Sequence, residues 1–262
     1  MNSPTHRIAL AGALNVRDLG GLATTGNGVT RFGRLIRSGS LQELTPEDVE
    51  HLTRTLDVRQ VIDLRSTAEV RREGPGPLAG VPGVTIHHLS LLAESPPDTD
   101  RVDTERAMPW NRAGADGRSR PAGSTGHYLR YCAERPDSVV AALRVIAHGA
   151  GATLVHCAMG KDRTGVVCAL ALDAVGVGRE AVVADYTRSG EHMSAIVERL
   201  RDNPLYAADI VSRPFASFVP RPAYMHALLA ALDERFGGVR PWLAGHGWTV
   251  DDQRALAVRL IG

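Results

Sequence analysis

The stretch His156-Cys-Ala-Met-Gly-Lys-Asp-Arg-Thr-Gly165 gathers more reactive side chains than any other part of this 262-residue chain. It follows a short apolar run, Ala152–Val155, and leads into a second one beyond Thr164. The order strand, loop, helix makes an anion site: backbone N–H groups turn inward and the helix dipole adds partial positive charge. The loop opens with Cys157 and closes with Arg163, six positions later. A field that holds an anion also favours a thiolate, the nucleophilic form of cysteine. Arg163 brings a planar fork that grips two phosphate oxygens at once. Gly160 permits the close backbone approach that a loop wrapped around phosphate requires. Nucleophile and clamp in one cradle imply attack of sulfur on phosphorus, a phosphocysteine intermediate, and its hydrolysis by water. The bland alternative makes Cys157 a buried strand-end residue and Arg163 a surface one.

Other elements must hold this loop. Val58–Leu64 and Val84–Leu92 predict buried strands, and Val29–Arg37 predicts a third after the turn Gly26-Asn27-Gly28. Thr45 caps a helix with Pro46 in its first turn and Asp48 closing a capping-box pattern. Helical periodicity covers Gly126–Glu134, Asp137–His148, Arg179–Arg188, Glu191–Arg201, Pro222–Phe236 and Thr249–Leu260. Strands alternating with helices predict an α/β fold: a mainly parallel central sheet flanked by helices, with a helical C-terminal part. Ligand sites in such sheets gather outside the carboxyl ends of the strands, where Asp63 and Cys157 both fall. Two segments lack periodicity, 94–125, rich in Pro, Asp, Gly, Arg and Ser, and 202–221, with three prolines. Both are candidate lids. No repeat or long linker divides the chain, so 1–262 reads as one catalytic domain.

Composition narrows the function. With 30 basic and 29 acidic residues the net charge is +1, which is no nucleic-acid footprint. No window approaches the ~18 apolar residues of a membrane span, and the N-terminus carries no ordinary secretory signal. Three scattered cysteines, Cys132, Cys157 and Cys168, make neither a disulfide framework nor a zinc site. A reduced, cytoplasmic setting and a monomer are expected. Of the 30 basic residues 29 are arginine, and the single lysine, Lys161, stands inside the loop.

HCAMGKDRTG resembles the signature of the protein tyrosine phosphatase superfamily, Cys-x5-Arg followed by Thr or Ser. The wider pattern is similar to an atypical bacterial branch of that superfamily. Its matching pieces are NVRDLGG (Asn15–Gly21), RLIRSGSL (Arg34–Leu41), LTPEDVEHL (Leu44–Leu52), VIDLRS (Val61–Ser66), GKDRTG (Gly160–Gly165) and AYMHALLAALDERFGG (Ala223–Gly238). They span nearly the whole chain.

The resemblance implies Cys157 as nucleophile, Arg163 as phosphate-binding arginine and Thr164 as the hydroxyl that assists turnover. It also implies Ala158, Met159, Gly160, Lys161 and Asp162 as the phosphate-holding loop, and His156 as the residue that orders it. In this branch the Asp inside the signature serves as general acid, which points to Asp162. A helix cap or salt bridge is the structural alternative for Asp162, and Asp98, Asp100, Asp103 and Asp116 are the conventional candidates. None of these has a Trp-Pro-Asp setting, and Met108-Pro109-Trp110 is not that motif. Asp63 and Arg65 are placed near the loop as substrate-binding residues, a structural ion pair being the competing explanation. Arg17 and Asp18 read as a turn-stabilising pair, and Cys132 and Cys168 as small core residues.

The implied substrates are phosphotyrosine proteins, with a phosphoinositide or inositol phosphate as the alternative that Lys161 favours. A silent phospho-binding module would need no thiolate, and a rhodanese-type sulfur transferase would need no Arg163-Thr164. No metal or cofactor is required, because amides and arginine neutralise the phosphate. The branch also makes export without a signal peptide conceivable.

Overall fold

The computed structural model describes residues 7–93 and 124–262. Its centre is a five-stranded sheet of β1 (Arg17–Asp18), β2 (Leu35–Ser38), β3 (Val58–Asp63), β4 (Thr85–His88) and β5 (Ala152–His156), in the order β1-β2-β5-β3-β4. Only β1 runs antiparallel to its neighbour. The mixed α/β architecture expected from the sequence is therefore present.

Strand β5 lies in the middle and every residue in it is buried, as an apolar run between two parallel neighbours demands. Successive side chains leave a strand on opposite faces. Leu35, Ile62 and Val155 accordingly enter one apolar core, while Ile36, Val61 and Leu154 enter another. The larger core is closed by helices α3 (Ser124–Glu134), α4 (Pro136–His148), α5 (Asp162–Ala174), α6 (Arg179–Arg188), α9 (Pro222–Phe236), α10 (Val239–Gly245) and α11 (Val250–Leu260). The smaller one lies against α1 (Pro46–Glu50) and its π-helical continuation His51–Thr55. Thr45 and Asp48 close their capping box as expected, and Thr249 and Asp252 close another.

Several elements differ from expectation. The strand read at Val29–Arg37 is confined to Leu35–Ser38, with Val29 and Thr30 in isolated bridges. The strand read at Val84–Leu92 is only four residues long. A helix unseen in the sequence, α2 (Thr67–Glu73), starts at a Ser66–Glu69 capping box. The 202–221 segment is not a structureless cover: it contains α8 (Ala207–Ser212) and a 3-10 turn, Phe215–Ser217. Helices this short give no readable period. With α7 (Met193–Arg201), this segment forms a third apolar cluster in which Tyr206, Ile210 and Phe218 pack with Ala158 and Met159 of the loop. The 94–125 segment, with Asp98, Asp100, Asp103, Asp116 and Met108-Pro109-Trp110, lies outside the described residues up to position 123. Among the described residues no helix is long and apolar enough to cross a membrane.

Candidate active site

Strand β5 ends at His156, helix α5 begins at Asp162, and the loop between them carries Cys157 to Lys161. It lies directly on the end of β2. A Cβ at Gly160 would come 2.4 Å from the Ser38 carbonyl oxygen, and Gly160 has φ +67, so glycine is required on both counts. Cys157 is buried, and Thr164 Oγ1 donates to its Sγ at 3.2 Å. That hydroxyl and the first amides of α5 complement negative charge on sulfur or on a phosphoryl oxygen.

Three successive loop carbonyls are gripped from behind. The Ser40 amide donates to Ala158 O at 3.0 Å. Asn15 Nδ2 donates to Met159 O at 3.3 Å and to Gly160 O at 3.0 Å, and Arg37 Nη2 donates to Gly160 O at 2.7 Å. No peptide bond is cis. In a planar trans peptide the N–H points opposite to the C=O, so the amides of Met159, Gly160 and Lys161 face away from these donors.

Arg163 is held by a residue that sequence reasoning missed. Its Nη1 and Nη2 donate to Glu69 Oε2 at 2.5 Å and Oε1 at 2.9 Å, and Nη1 reaches Leu64 O at 3.3 Å. Among the described residues the Nε edge takes no part in these bonds. Burial pulls the guanidinium down, but Glu69 and Cys157 outweigh it and hold Arg163 well above the ordinary arginine value. Glu69 is fully buried and also accepts from the Ser66 amide at 2.6 Å and the Tyr206 hydroxyl at 3.1 Å. The local pattern Ser66-Thr-Ala-Glu69 signals the cap; nothing in it signals Arg163.

Asp162 and Lys161 are also engaged. The Tyr128 hydroxyl donates to Asp162 Oδ1 and shares a 2.7 Å bond with the Tyr186 hydroxyl. Lys161 is buried; its Nζ donates to Phe218 O at 2.8 Å and lies 3.4 Å from Asp162 Oδ2. Tyr131 is buried in the same core as Cys157, and its hydroxyl has no hydrogen-bond partner among the described residues.

Asp63 and Arg65 form their own pair. Arg65 Nη2 lies 2.6 Å from Asp63 Oδ2 and its Nε donates to both Asp63 oxygens, while Nη1 reaches Glu73 Oε2 and Nη2 also reaches Gly74 O. Among the described residues no bond joins Asp63 to Lys161 or Arg163; its other neighbour is His156 Nε2, at 3.7 Å. Arg17 does not pair with Asp18 as the sequence suggested. It binds Asp185 of α6 at 2.6 Å, while Asp18 accepts from the Gly20 and Gly33 amides. Adjacent strand residues point to opposite faces, so a side-chain pair at 17 and 18 is disfavoured. Cys132 and Cys168 are buried and unpaired, and burial pushes both thiols up to about 12. Among the described residues no His, Cys, Asp and Glu cluster could hold a metal.

A family model described as the tyrosine phosphatase family matches residues 8–262. The chain belongs to this tyrosine phosphatase family. It is 32% identical to the triple specificity protein phosphatase PtpB of Mycobacterium tuberculosis, over 91% of this chain and 93% of that protein. It is 29% identical to a tyrosine-protein phosphatase of Nostoc commune, over 86% of this chain and 73% of that one. The phosphatase is thus cysteine-dependent and related along most of its length, as the resemblance implied.

One consequence for stability follows from His156 beneath the loop. Burial pushes its imidazole down to about 4, against the pull of Asp63. An unfolded histidine titrates near ~6.5, so between these values the unfolded chain binds the extra proton. Stability is then full above pH ~6.5 and falls as pH drops through the folded value, by about 3 kcal/mol in all. Urea unfolding at pH 7 and near pH 4 should show His156→Gln losing that much less than wild type. Equal losses in the two proteins would remove His156 as the cause.

Proposed function

We propose that the phosphatase hydrolyses phosphotyrosine in proteins through Cys157. The Cys157 thiolate attacks phosphorus, the S–P bond forms, and the P–O bond to the tyrosine breaks. Asp162 gives its proton to the departing phenolate oxygen. The amides of Met159, Gly160 and Lys161, with Arg163, hold the three non-bridging oxygens. Water then attacks phosphorus and yields a proton to Asp162. The S–P bond breaks, and sulfur leaves as thiolate toward the hydroxyl of Thr164. The observation that carries this reading is the Thr164-to-Sγ hydrogen bond at the mouth of a loop closed by Arg163. His156 lies under the loop, and Asp63 pairs with Arg65 at the neighbouring strand end.

A second reading, a wider range of phosphomonoesters including phosphoinositides, rests on Lys161, a second cation two positions before Arg163 in the sequence. The name of the mycobacterial relative is in keeping with breadth. Either way the enzyme acts where thiols stay reduced.

Phosphate release in chelator from a phosphotyrosine peptide, a phosphoserine peptide and a phosphoinositide ranks these substrates. Highest turnover on the phosphotyrosine peptide is expected, and a phosphoinositide ranked first would favour the second reading. Asp162→Asn tests the acid. It should lower turnover of the phosphotyrosine peptide about 10²- to 10³-fold, within the usual range for a positioned acid. A nitrophenyl phosphate, whose phenolate leaves without a proton, should lose far less in its first step. Equal losses on both esters would remove Asp162 from that role.

A further inference from the structure

The network behind the loop is larger than a fold needs. Arg37 Nη1 lies 2.5 Å from Asp185 Oδ2, and Arg17 Nε lies 2.6 Å from Asp185 Oδ1. Arg17 Nη1 donates to Asn15 Oδ1, and both guanidiniums reach Ser189 Oγ, at 3.3 and 3.4 Å. Asn15, Arg17, Arg37, Asp185 and Ser189 are all buried. Two guanidiniums face one carboxylate here, so a net positive charge sits in the interior directly under a loop that would receive a phosphate. Burying such ions is expensive, and an apolar cluster of the same volume would commonly be as stable. The network's outputs are directional: Asn15 and Arg37 both end on the Gly160 carbonyl.

We infer that Asn15, Arg37 and Asp185 are positioning residues that set the anion affinity of the phosphate loop from behind. They touch no substrate. They act by fixing the peptide planes at Met159 and Gly160, so that the amides of Gly160 and Lys161 stay aimed into the cradle. Arg37 also polarises the Gly160–Lys161 peptide, because a carbonyl bonded to a cation leaves its own N–H a stronger donor. Asp185 holds Arg37 at the angle this needs. The NVRDLGG and RLIRSGSL stretches and the start of α6's last turn thereby acquire one shared task. The inference rests on the reading that this loop holds the phosphoryl group.

Tungstate, a phosphate-like oxyanion, tests it by calorimetric titration of the full chain. Asn15 has φ +61, which glycine tolerates, so Asn15→Gly removes the amide donor while leaving the backbone at ease. The expected result is a tungstate Kd raised about tenfold, the worth of one or two hydrogen bonds. The thermal midpoint should fall, because Arg17 Nη1 and the Met159 carbonyl each lose a partner, so the Kd is read on folded protein, and kcat/KM on a phosphotyrosine peptide should fall in parallel with it. Arg37→Lys keeps the charge but cannot bridge Asp185 and Gly160 together, so it should weaken tungstate binding less than Arg37→Met. A purely structural role would lower the folded fraction and leave the Kd of folded protein unchanged. A folded Asn15→Gly protein that binds tungstate within twofold of wild type overturns the inference, whether or not the Arg37 variants fold. Arg163→Met separates the two readings. If it binds tungstate as well as wild type, the loop is not the anion site and both readings fall. If it loses binding while Asn15→Gly keeps it, only the positioning role falls.

Discussion

Cys157→Ser is expected to fold, to bind a phosphotyrosine peptide, and to release no measurable phosphate from it. Removing a covalent nucleophile lowers turnover by about five to six orders of magnitude where the rest of the machinery is intact. The serine hydroxyl would have to lose its proton to act, and neither Thr164 nor His156 is placed to take it. Thr164 Oγ1 is placed as a donor toward position 157, and the His156 imidazole is directed at Asp63. Arg163 stays on Glu69 in the variant, so the cradle keeps its shape and its affinity for the dianion. Binding measured by titration and release measured in chelator would therefore separate. Substantial turnover by the serine protein would overturn the covalent mechanism.

The second large effect concerns stability. Glu69→Ala should destabilise the fold by about 3–5 kcal/mol, the range for removing one partner of a buried ion pair. The loss has three sources. Arg163 is left as a buried charge without its carboxylate partner, the Ser66 amide loses its cap, and the Tyr206 hydroxyl loses an acceptor. Glu69→Gln retains the side-chain shape and should fall at the low end of that range. Urea midpoints with equal slopes measure both. A loss under about 1 kcal/mol for the alanine variant would mean that solvent reaches Arg163 freely and that the pair is not the closed unit described.

These expectations divide along the line of what the sequence could disclose. Cys157, Arg163 and Thr164 were legible because their geometry is made within a single strand–loop–helix. The parallel sheet was legible because β5 and β3 are apolar runs separated by helical periods. Glu69 was not, since it meets Arg163 across 94 residues and its short-range pattern already had a complete explanation as a cap. Asp185 stayed hidden for the same reason: a carboxylate on a helix reads as solvated until the fold sets Arg17 and Arg37 against it. The 202–221 segment misled because helices of one or two turns leave no period, although Tyr206, Ile210 and Phe218 are its buried contacts. Asp63 and Arg65 were correctly placed at a strand end, but spacing alone could not show that they face each other.

The solitary lysine has a practical side. An endoprotease that cleaves only after lysine finds one target bond in this polypeptide, Lys161–Asp162, and in the native fold that side chain is buried and tethered to the Phe218 carbonyl. Two-fragment nicking would thus clock the rate at which the loop region opens, with neither label nor engineered reporter.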